Sequence, residues 1–445
     1  MNDRLLSTAE RVLSLAGTEA EAEVTVTQGT EALTRFATSF IHQNVADAAR
    51  EVHLRVALDG RVAEATDNRT DDDALARLVR STLEAARLQP VDPGWPGLAP
   101  VAETPKVDHW DDGTASAAPD ERAERIASFV HAADGLETAG FCSTEGLETV
   151  FANSAGQRAS GRSTQAQVDG IARTGSSDGA DRAASVRLSD LDGGAVGVLA
   201  TKRARDSAAA TDLEPGRYEV VMSPSCVVNV LGFLAIYGFN GRAVEEGRSF
   251  ARVGEAQFDE TLSVADDVGH PMGVGIGFDA EGTPKRRLPL ITDGVTAGLV
   301  NDRRTAKALG AESTGNAVAG AGPFGALPAN LVLDPGTSTP DELVGAMERG
   351  LLVTDLWYTR ILDPRTMVVT GLTRNGVWLV EDGKIVRPVT NLRFTQSYLE
   401  ALAPGAVKGV GSDLTLVGGA TFGLGAYVVP SLHLASWNFT GGAKG

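Results

Sequence analysis

The spacing of apolar and polar residues divides the chain into regions of different character. Helical spacing predicts a short first helix over 7–15. Strict alternation then predicts four strands, over 23–27, 34–45, 53–58 and 61–66. A second amphipathic helix follows, with Thr70 as its predicted N-cap. We therefore expect residues 1–100 to form an N-terminal α/β domain in which helices cover an antiparallel sheet.

Residues 89–119 interrupt this pattern. They are rich in Pro, Gly, Ala and Asp, which is typical of a connecting segment. Beyond them, the sequence predicts a helix over 119–131 and further strands up to Arg187. We expect residues 101–213 to form a central, strand-rich subdomain.

From residue 214 onward, short apolar runs are separated by glycine-containing turns. Three Asp-Gly or Asn-Gly turns, ending at Gly294, Gly376 and Gly383, predict β-hairpins. A helix is predicted from Ser223-Pro224 to about Tyr237, because proline is favoured at the first helical position. We therefore expect residues 214–445 to form a mainly antiparallel β domain, which makes the whole chain an α+β protein.

Composition narrows the classes of function. The formal net charge is −18, from 40 Lys and Arg against 58 Asp and Glu, so a phosphate backbone would be repelled and nucleic acid is not an expected partner. No apolar run approaches the roughly 20 residues of a membrane-spanning helix, and the N-terminal residues lack a signal-peptide pattern. We expect a cytoplasmic protein without membrane contact. Cys142 and Cys226 stand far apart, which argues against a disulfide or a thiolate zinc site and predicts two buried, inert thiols.

Five segments of the sequence resemble the TldD/PmbA metallopeptidase family. They occur in the family's order and span nearly the whole chain, over 34–44, 239–249, 281–286, 357–365 and 391–397. Catalytic members carry a His-Glu-x-x-x-His motif on the helix that corresponds to the one after Ser223. Two imidazoles on one helix face bind zinc, and the intervening glutamate acts as the general base.

The resemblance implies that this chain lacks that site. Gly232 and Tyr237 stand where the two histidines would be, and Phe233 stands where the glutamate would be. The cysteine ligand that catalytic members supply late in the chain is also missing, because no cysteine follows Cys226. We therefore expect a degenerate metal-site helix, no metal and no cofactor in this chain, and zinc in a partner subunit.

Alternatively, the chain could bind a metal through other residues that are not part of the helical motif. The six histidines offer no two-ligand helical pair, and the remaining combination is His270 with Asp266 and Asp267. These three residues are equally typical of a solvated surface, which is the interpretation that we favour.

Candidate substrate-cleft residues come from two of the family segments: Trp357, Tyr358, Arg360 and Asn391. The aromatic residues, with Phe394, are more typical of a β-domain core than of a cleft. Arg360 and Arg365 flank Asp363, which suggests either a clamp for a peptide carboxylate or a structural ion pair.

The resemblance implies a bacterial heterodimer in which this TldE-type subunit completes the cleft of a TldD-like, His-Glu-x-x-x-His zinc peptidase. The expected substrates are extended or unfolded peptides, or modified peptide natural products, which can add to an exposed strand edge. Two alternatives stay open. One is a stand-alone peptide-binding scaffold or homodimer without hydrolytic activity. The other is a metal-independent enzyme that uses Tyr237 or Asp363 as acid or base.

Overall fold

The structure is a computed structural model that describes residues 3–320, 324–418 and 425–442. The first half contains one antiparallel six-stranded sheet with the order β3-β2-β1-β4-β5-β6. Its strands are β1 (Glu21–Ala37), β2 (Phe40–Leu58), β3 (Arg61–Asp67), β4 (Glu137–Asn153), β5 (Arg158–Arg173) and β6 (Asp178–Ser185). The helices of this half are α1 (Asp3–Ala16), α2 (Asp72–Leu88), α3 (Asp112–Ala115), α4 (Pro119–Ala132) and α5 (Gly193–Asp206).

Two apolar clusters hold the helices against this sheet. Alternate residues of β1 from Ala22 to Val26 pack with α1 and α2, while Phe36 at the end of β1 packs with α4 and α5. This arrangement follows from the two-residue period of a strand, which gives one face to the core. The predicted sheet with covering helices is confirmed.

The strand predicted over 34–45 is wrong, because the chain turns back in its middle. Thr38 and Ser39 have φ values of 47° and 63°, and Ala37 pairs with Phe40 across the turn. Such two-residue turns usually contain Asn or Gly, which adopt positive φ readily, so the Thr-Ser pair gave no turn signal. The first helix also begins earlier than predicted, at Asp3, and Ser7 lies within it.

The first sheet is continuous across the boundary predicted at residue 100, because β1 pairs with β4 over 14 residues from Glu23 to Phe36. A buried ionic contact also links this sheet to the second half of the chain. Arg55 on β2 forms an ion pair with Glu23 and lies 3.4 Å from Glu281. Burial raises the pKa of Glu23 to about 7, against the opposing effect of Arg55.

The second half contains two sheets. The nine-stranded sheet comprises β7 (Gly216–Met222), β12 (Arg349–Val353), β13 (Leu356–Asp363), β14 (Val368–Thr373), β15 (Val377–Glu381), β16 (Lys384–Pro388), β17 (Leu392–Ser397), β18 (Val407–Val410) and β21 (Leu432–Gly442). The six-stranded sheet comprises β8 (Val264–Asp266), β9 (Leu288–Thr292), β10 (Val295–Thr296), β11 (Leu331–Leu333), β19 (Thr415–Gly418) and β20 (Ala426–Val429). The helices are α6 (Pro224–Tyr237), α7 (Gly241–Glu245), α8 (Arg303–Leu309), α9 (Pro340–Gly345) and α10 (Tyr398–Ala401).

Most strand pairs in this half are antiparallel, as predicted, although β7 pairs with β12 and β11 pairs with β20 in parallel. The turns ending at Gly294 and Gly383 close hairpins, β9 with β10 and β15 with β16. The hairpin predicted to end at Gly376 is wrong, because β14 and β15 lie on opposite sides of β17, β21, β7 and β12. The Asn375-Gly376 turn therefore connects two strands that are not neighbours.

Helix α6 occupies the centre of the largest apolar cluster. Residues of this helix pack together with residues of both C-terminal sheets, among them Val220, Leu290 and Tyr427. Cys226 on α6 and Cys142 on β4 are buried free thiols. Burial raises the pKa of the Cys142 thiol to about 12, which keeps it protonated and unreactive at neutral pH.

In the ranges that the structure describes, no helix combines the length and the apolar character needed to cross a membrane.

Candidate functional site

Helix α6 carries Gly232, Phe233 and Tyr237, the three positions at which the resemblance places the family's zinc motif. Pro224 occupies its first turn, where the missing N–H costs no hydrogen bond, and the backbone N–H of Gly238 closes its end by donating to Leu234. Apolar residues line the helix on every side, which is typical of a helix buried within a core. The predicted helix and its boundaries are confirmed.

Phe233, at the position of the motif glutamate, is 1% exposed and belongs to an aromatic cluster. Its ring stacks on Tyr237 at a centroid distance of 6.0 Å and meets Tyr398 edge-on at 5.9 Å. Tyr398 in turn lies 5.4 Å from Trp437. These are the distances at which aromatic pairs stabilise a core.

The other two motif positions provide one oxygen and no nitrogen. Gly232 is buried and has no side chain, and Tyr237 is half-buried. Burial raises the pKa of the Tyr237 phenol, with Arg248 opposing that shift, so the group is neutral at physiological pH. Zinc sites in proteins use imidazole, thiolate or carboxylate ligands. The residues at these three positions therefore do not fit zinc.

The alternative metal site is also absent from the described part of the chain, which contains no group of three or more His, Cys, Asp or Glu residues suited to a metal. Asp266 accepts hydrogen bonds from the Asn316 side chain and the Asn330 backbone. Asp267 accepts from the Gly269 backbone, and His270 Nδ1 accepts from Met272. Asp266 is buried and joins distant segments of the chain, so its interpretation as a solvated surface residue is wrong. Asp267 and His270 bond within their own loop, and Asp267 also forms an ion pair with Arg287.

The candidate cleft residues lie on and beside strand β13. Trp357 is 52% exposed and Tyr358 is 64% exposed, so neither belongs to the core. Phe394, by contrast, is fully buried against Trp437. The interpretation of the aromatic residues as core is therefore correct for Phe394 and wrong for the other two.

Trp357 and Asn391 line a common cavity of about 580 Å³, whereas Tyr358 and Arg360 lie outside it. The cavity opens between the turn at 176–178, the residues that follow α5 and the turn at 374–376. It therefore combines side chains from both halves of the chain. Its size is within the range of small-molecule and peptide side-chain sites.

Two arginines stack on the exposed aromatic rings. The Arg374 guanidinium lies 4.5 Å from the centroid of Trp357, and that of Arg360 lies 4.6 Å from the centroid of Tyr358. The sequence indicated Arg360 but not Arg374, because the turn before Gly376 was interpreted as a hairpin. Its Arg-Asn-Gly sequence carried no signal for a contact with Trp357.

The structural ion pair predicted around Asp363 does not form within 4 Å in the described chain. The Asp363 carboxylate instead accepts from the Arg365 backbone at 3.0 Å and from Thr366 Oγ1 at 2.6 Å, which fixes its own turn. The hydrogen bond from Thr366 lowers the pKa of Asp363. A carboxylate held in this way is poorly suited to act as a general acid.

One polar side chain connects α6 to β13. Asn229 Nδ2 donates to Thr359 Oγ1 at 2.9 Å, and Asn229 Oδ1 accepts from the Tyr398 hydroxyl at 3.0 Å. Sequence reasoning missed this residue, since an asparagine within an apolar helix has no pattern that names its partner. It fixes β13 relative to the aromatic cluster.

Comparisons with known proteins agree with this architecture. A family model for the PmbA/TldA metallopeptidase C-terminal domain matches residues 215–441. A metalloprotease of Methanothermobacter thermautotrophicus is 29% identical over 212 residues, which cover 45% of this chain and 44% of that relative. A metalloprotease TldD homolog of Buchnera aphidicola is 24% identical over 191 residues, 40% of this chain and 38% of that relative. The matched region thus spans less than half the length of either relative.

Among solved structures, TldE from Thermococcus kodakarensis has the same fold. It superposes with a TM-score of 0.87 at 19% sequence identity, over 99% of each chain. At this identity, the likeness establishes the fold of both halves and leaves the chemistry to the individual residues.

Proposed function

Because the chain belongs to the PmbA/TldD metallopeptidase family, we propose that it is a non-catalytic, TldE-like subunit of a two-chain zinc peptidase. The complex degrades or trims unfolded peptides or modified peptide natural products. A TldD-like partner with the His-Glu-x-x-x-His motif supplies the zinc and the general base, and this chain supplies none. We place the pair in the bacterial cytoplasm, as the sequence predicts.

The packing of Phe233 is the observation that carries this proposal. Hydrolysis by zinc needs a base beside a metal-bound water. At the position of that base, the chain has a phenyl ring enclosed by Tyr237 and Tyr398. These aromatic rings occupy the space that a metal ion and its bound water would need in a catalytic site.

The second element of the proposal is the exposed surface at β13. Substrate binding does not depend on the lost ligands, because an extended peptide can form backbone hydrogen bonds with a free strand edge. Trp357 and the adjoining cavity of about 580 Å³ offer a wall and a side-chain pocket for such a peptide. The subunit can therefore contribute to substrate selection without contributing to the chemistry.

A peptidase assay with purified proteins tests the proposal. An unstructured peptide is incubated with this chain, with a His-Glu-x-x-x-His homologue, and with both, each with and without a chelator. Cleavage is expected from the mixture and should stop with chelator. As a matched control, a partner whose motif glutamate is replaced by glutamine should abolish cleavage by the mixture.

Two other results would support a different function. Chelator-insensitive cleavage by this chain alone would contradict the proposal and support a metal-independent enzyme. A stable complex that cleaves nothing would instead favour a peptide-binding scaffold.

A further inference from the structure

Three arginines near β13 form a basic surface on an acidic chain. The formal net charge is −18, yet Arg360, Arg374 and Arg393 form no ion pair within 4 Å in the part of the chain that the structure describes. Arg349 on β12 of the same sheet, by comparison, pairs with Glu381. No carboxylate among the described residues therefore contacts these three arginines directly, although Asp363 at the end of β13 adds one negative charge to this surface.

Strand register places two of these arginines on one face of the sheet. Trp357 pairs with Leu372, which pairs with Arg393, and this gives one row across three strands. Arg360 pairs with Thr370 in the next row. Directly opposed residues in antiparallel strands share a face, so Trp357, Arg360 and Arg393 project to the same side.

A β-bulge makes this arrangement possible. Tyr358 has a φ of 52°, and the register shifts between Trp357 and Arg360. In a regular strand, residues three apart point to opposite faces. The extra residue therefore brings the aromatic ring and the arginine to one side, as bulges beside functional sites commonly do.

The aromatic rings hold two of the guanidinium groups in place. Arg374 stacks on Trp357 and Arg360 stacks on Tyr358, with the distances given above. A stacked guanidinium loses less freedom on binding than a free side chain does, and the N–H groups that Arg360 does not use in its hydrogen bond with Tyr358 stay available for a carboxylate. A hydrogen bond with Arg360 lowers the pKa of the exposed Tyr358 phenol.

Strand β13 ends the nine-stranded sheet. Among the described strands it pairs with β14 on one side and with none on the other. Its outer N–H and C=O groups therefore face away from the sheet, which is the arrangement that accepts an added strand. Trp357, Tyr358 and Leu362 on this strand are also exposed.

We propose that the outer edge of β13 is a docking site for an extended peptide segment that carries carboxylates. The peptide pairs with β13 as an added strand, Arg360 contacts its carboxylates directly, and Arg393, two strands further in, contributes through its field. This inference rests on the proposed function, which names a peptide as the ligand. The new element is that the peptide is acidic. Charge complementarity favours an acidic peptide at this basic surface. A second copy of the chain is less favoured, because two chains with the same negative net charge repel each other.

Binding to the full chain alone tests the inference. The probes are fluorescent ten-residue peptides of alternating threonine and glutamate, with glutamine or lysine in place of glutamate as matched controls, followed by fluorescence anisotropy. At low ionic strength, the glutamate peptide should bind roughly ten times more tightly than the glutamine peptide, and the lysine peptide should bind least. Methylation of alternate backbone nitrogens should abolish binding, because it blocks strand pairing.

Matched variants locate the site. Arg360→Gln should weaken binding of the glutamate peptide about 3-fold to 5-fold, which is the scale of an exposed ion pair, and Arg393→Gln should weaken it less than about 2-fold. Arg77→Gln, an equal charge change at an exposed position of α2, should have no effect. Equal binding of the glutamate and glutamine peptides, or an equal loss in Arg77→Gln, would overturn the inference.

Three further outcomes bear on this inference, and the last two separate it from the proposed function. Self-association of the chain that blocks peptide binding and is lost in Arg360→Gln would assign β13 to a homodimer and overturn the inference. Cleavage by the two-chain mixture together with charge-independent peptide binding would refute the acidic specificity alone. Selective binding by this chain without cleavage by the mixture would support the inference while contradicting the proposed function.

Discussion

Helix α6 and strand β13 lie side by side, joined through Asn229 and Thr359, yet their surroundings differ completely. Ten residues of α6 are buried, and its family motif positions pack within the protein core. Strand β13 exposes Trp357 and Tyr358 and leaves one edge unpaired within the described chain. Under the proposed function, α6 therefore has a structural role and the neighbouring surface of β13 binds peptide.

If the proposed function is correct, chemistry and recognition are separable on one scaffold. A zinc site is lost with its ligands, because each contributes directly to metal binding. An edge strand retains its binding capacity through backbone groups, whatever the neighbouring helix carries. In this chain, Phe233 forms aromatic contacts with Tyr237 and Tyr398.

The largest expected effect is on stability, from Phe233→Ala. Removal of a fully buried phenyl ring should lower the free energy of unfolding by about 3–5 kcal/mol, since it leaves a cavity beside Tyr398. Trp357→Ala, which removes a larger but exposed ring, should cost less than about 1 kcal/mol. Urea denaturation followed by circular dichroism measures both. Equal losses of unfolding free energy in the two variants would contradict the description of Phe233 as a core residue and Trp357 as a surface residue.

The contact between the two regions should have an intermediate effect. Asn229→Ala leaves the buried Tyr398 hydroxyl without its acceptor, and this should cost about 1–3 kcal/mol. Asn391→Ala is the matched control, because Asn391 is exposed, and it should change stability by less than about 0.5 kcal/mol. The same denaturation experiment applies. An unchanged free energy of unfolding in Asn229→Ala would mean that the contact between α6 and β13 does not stabilise the protein.

The smallest expected effect is on the titration of two tyrosines. Arg360 lowers the pKa of Tyr358, while burial raises the pKa of Tyr237. Arg360→Gln should therefore move the ionisation of Tyr358 to higher pH, and Tyr237→Phe should remove a phenol that ionises late. Near-ultraviolet absorbance of tyrosinate reports both changes. An unchanged titration curve in Arg360→Gln would contradict the contact between Arg360 and Tyr358.

The sequence predicted those elements whose signals are local. Helix α6 was predicted within one residue, because Pro224 marks its start and its apolar run is continuous. Helix α5 was missed, since glycines weaken a helical pattern. A Cβ on Gly197 would lie 2.6 Å from the Phe129 carbonyl oxygen, so this glycine permits close packing of α4 and α5. That reason is visible only in three dimensions.

The candidate site was also predicted only in part. The family resemblance identified positions 232, 233 and 237, and two of the predicted cleft residues, Trp357 and Asn391, line one cavity. Arg393 and Arg374 could not be predicted as neighbours of Trp357. Their proximity depends on pairing between strands and on a turn geometry that leaves no periodic pattern in the sequence.

Zinc content tests the central claim most directly. The chain is purified alone, its tag is removed, and metal is measured by elemental analysis; the measurement is then repeated on the complex with a His-Glu-x-x-x-His homologue. The account predicts no stoichiometric zinc in the chain alone, because Gly232, Phe233 and Tyr237 supply no zinc ligand set. It predicts about one zinc per complex, contributed by the partner. Close to one zinc per molecule of the isolated chain would contradict it.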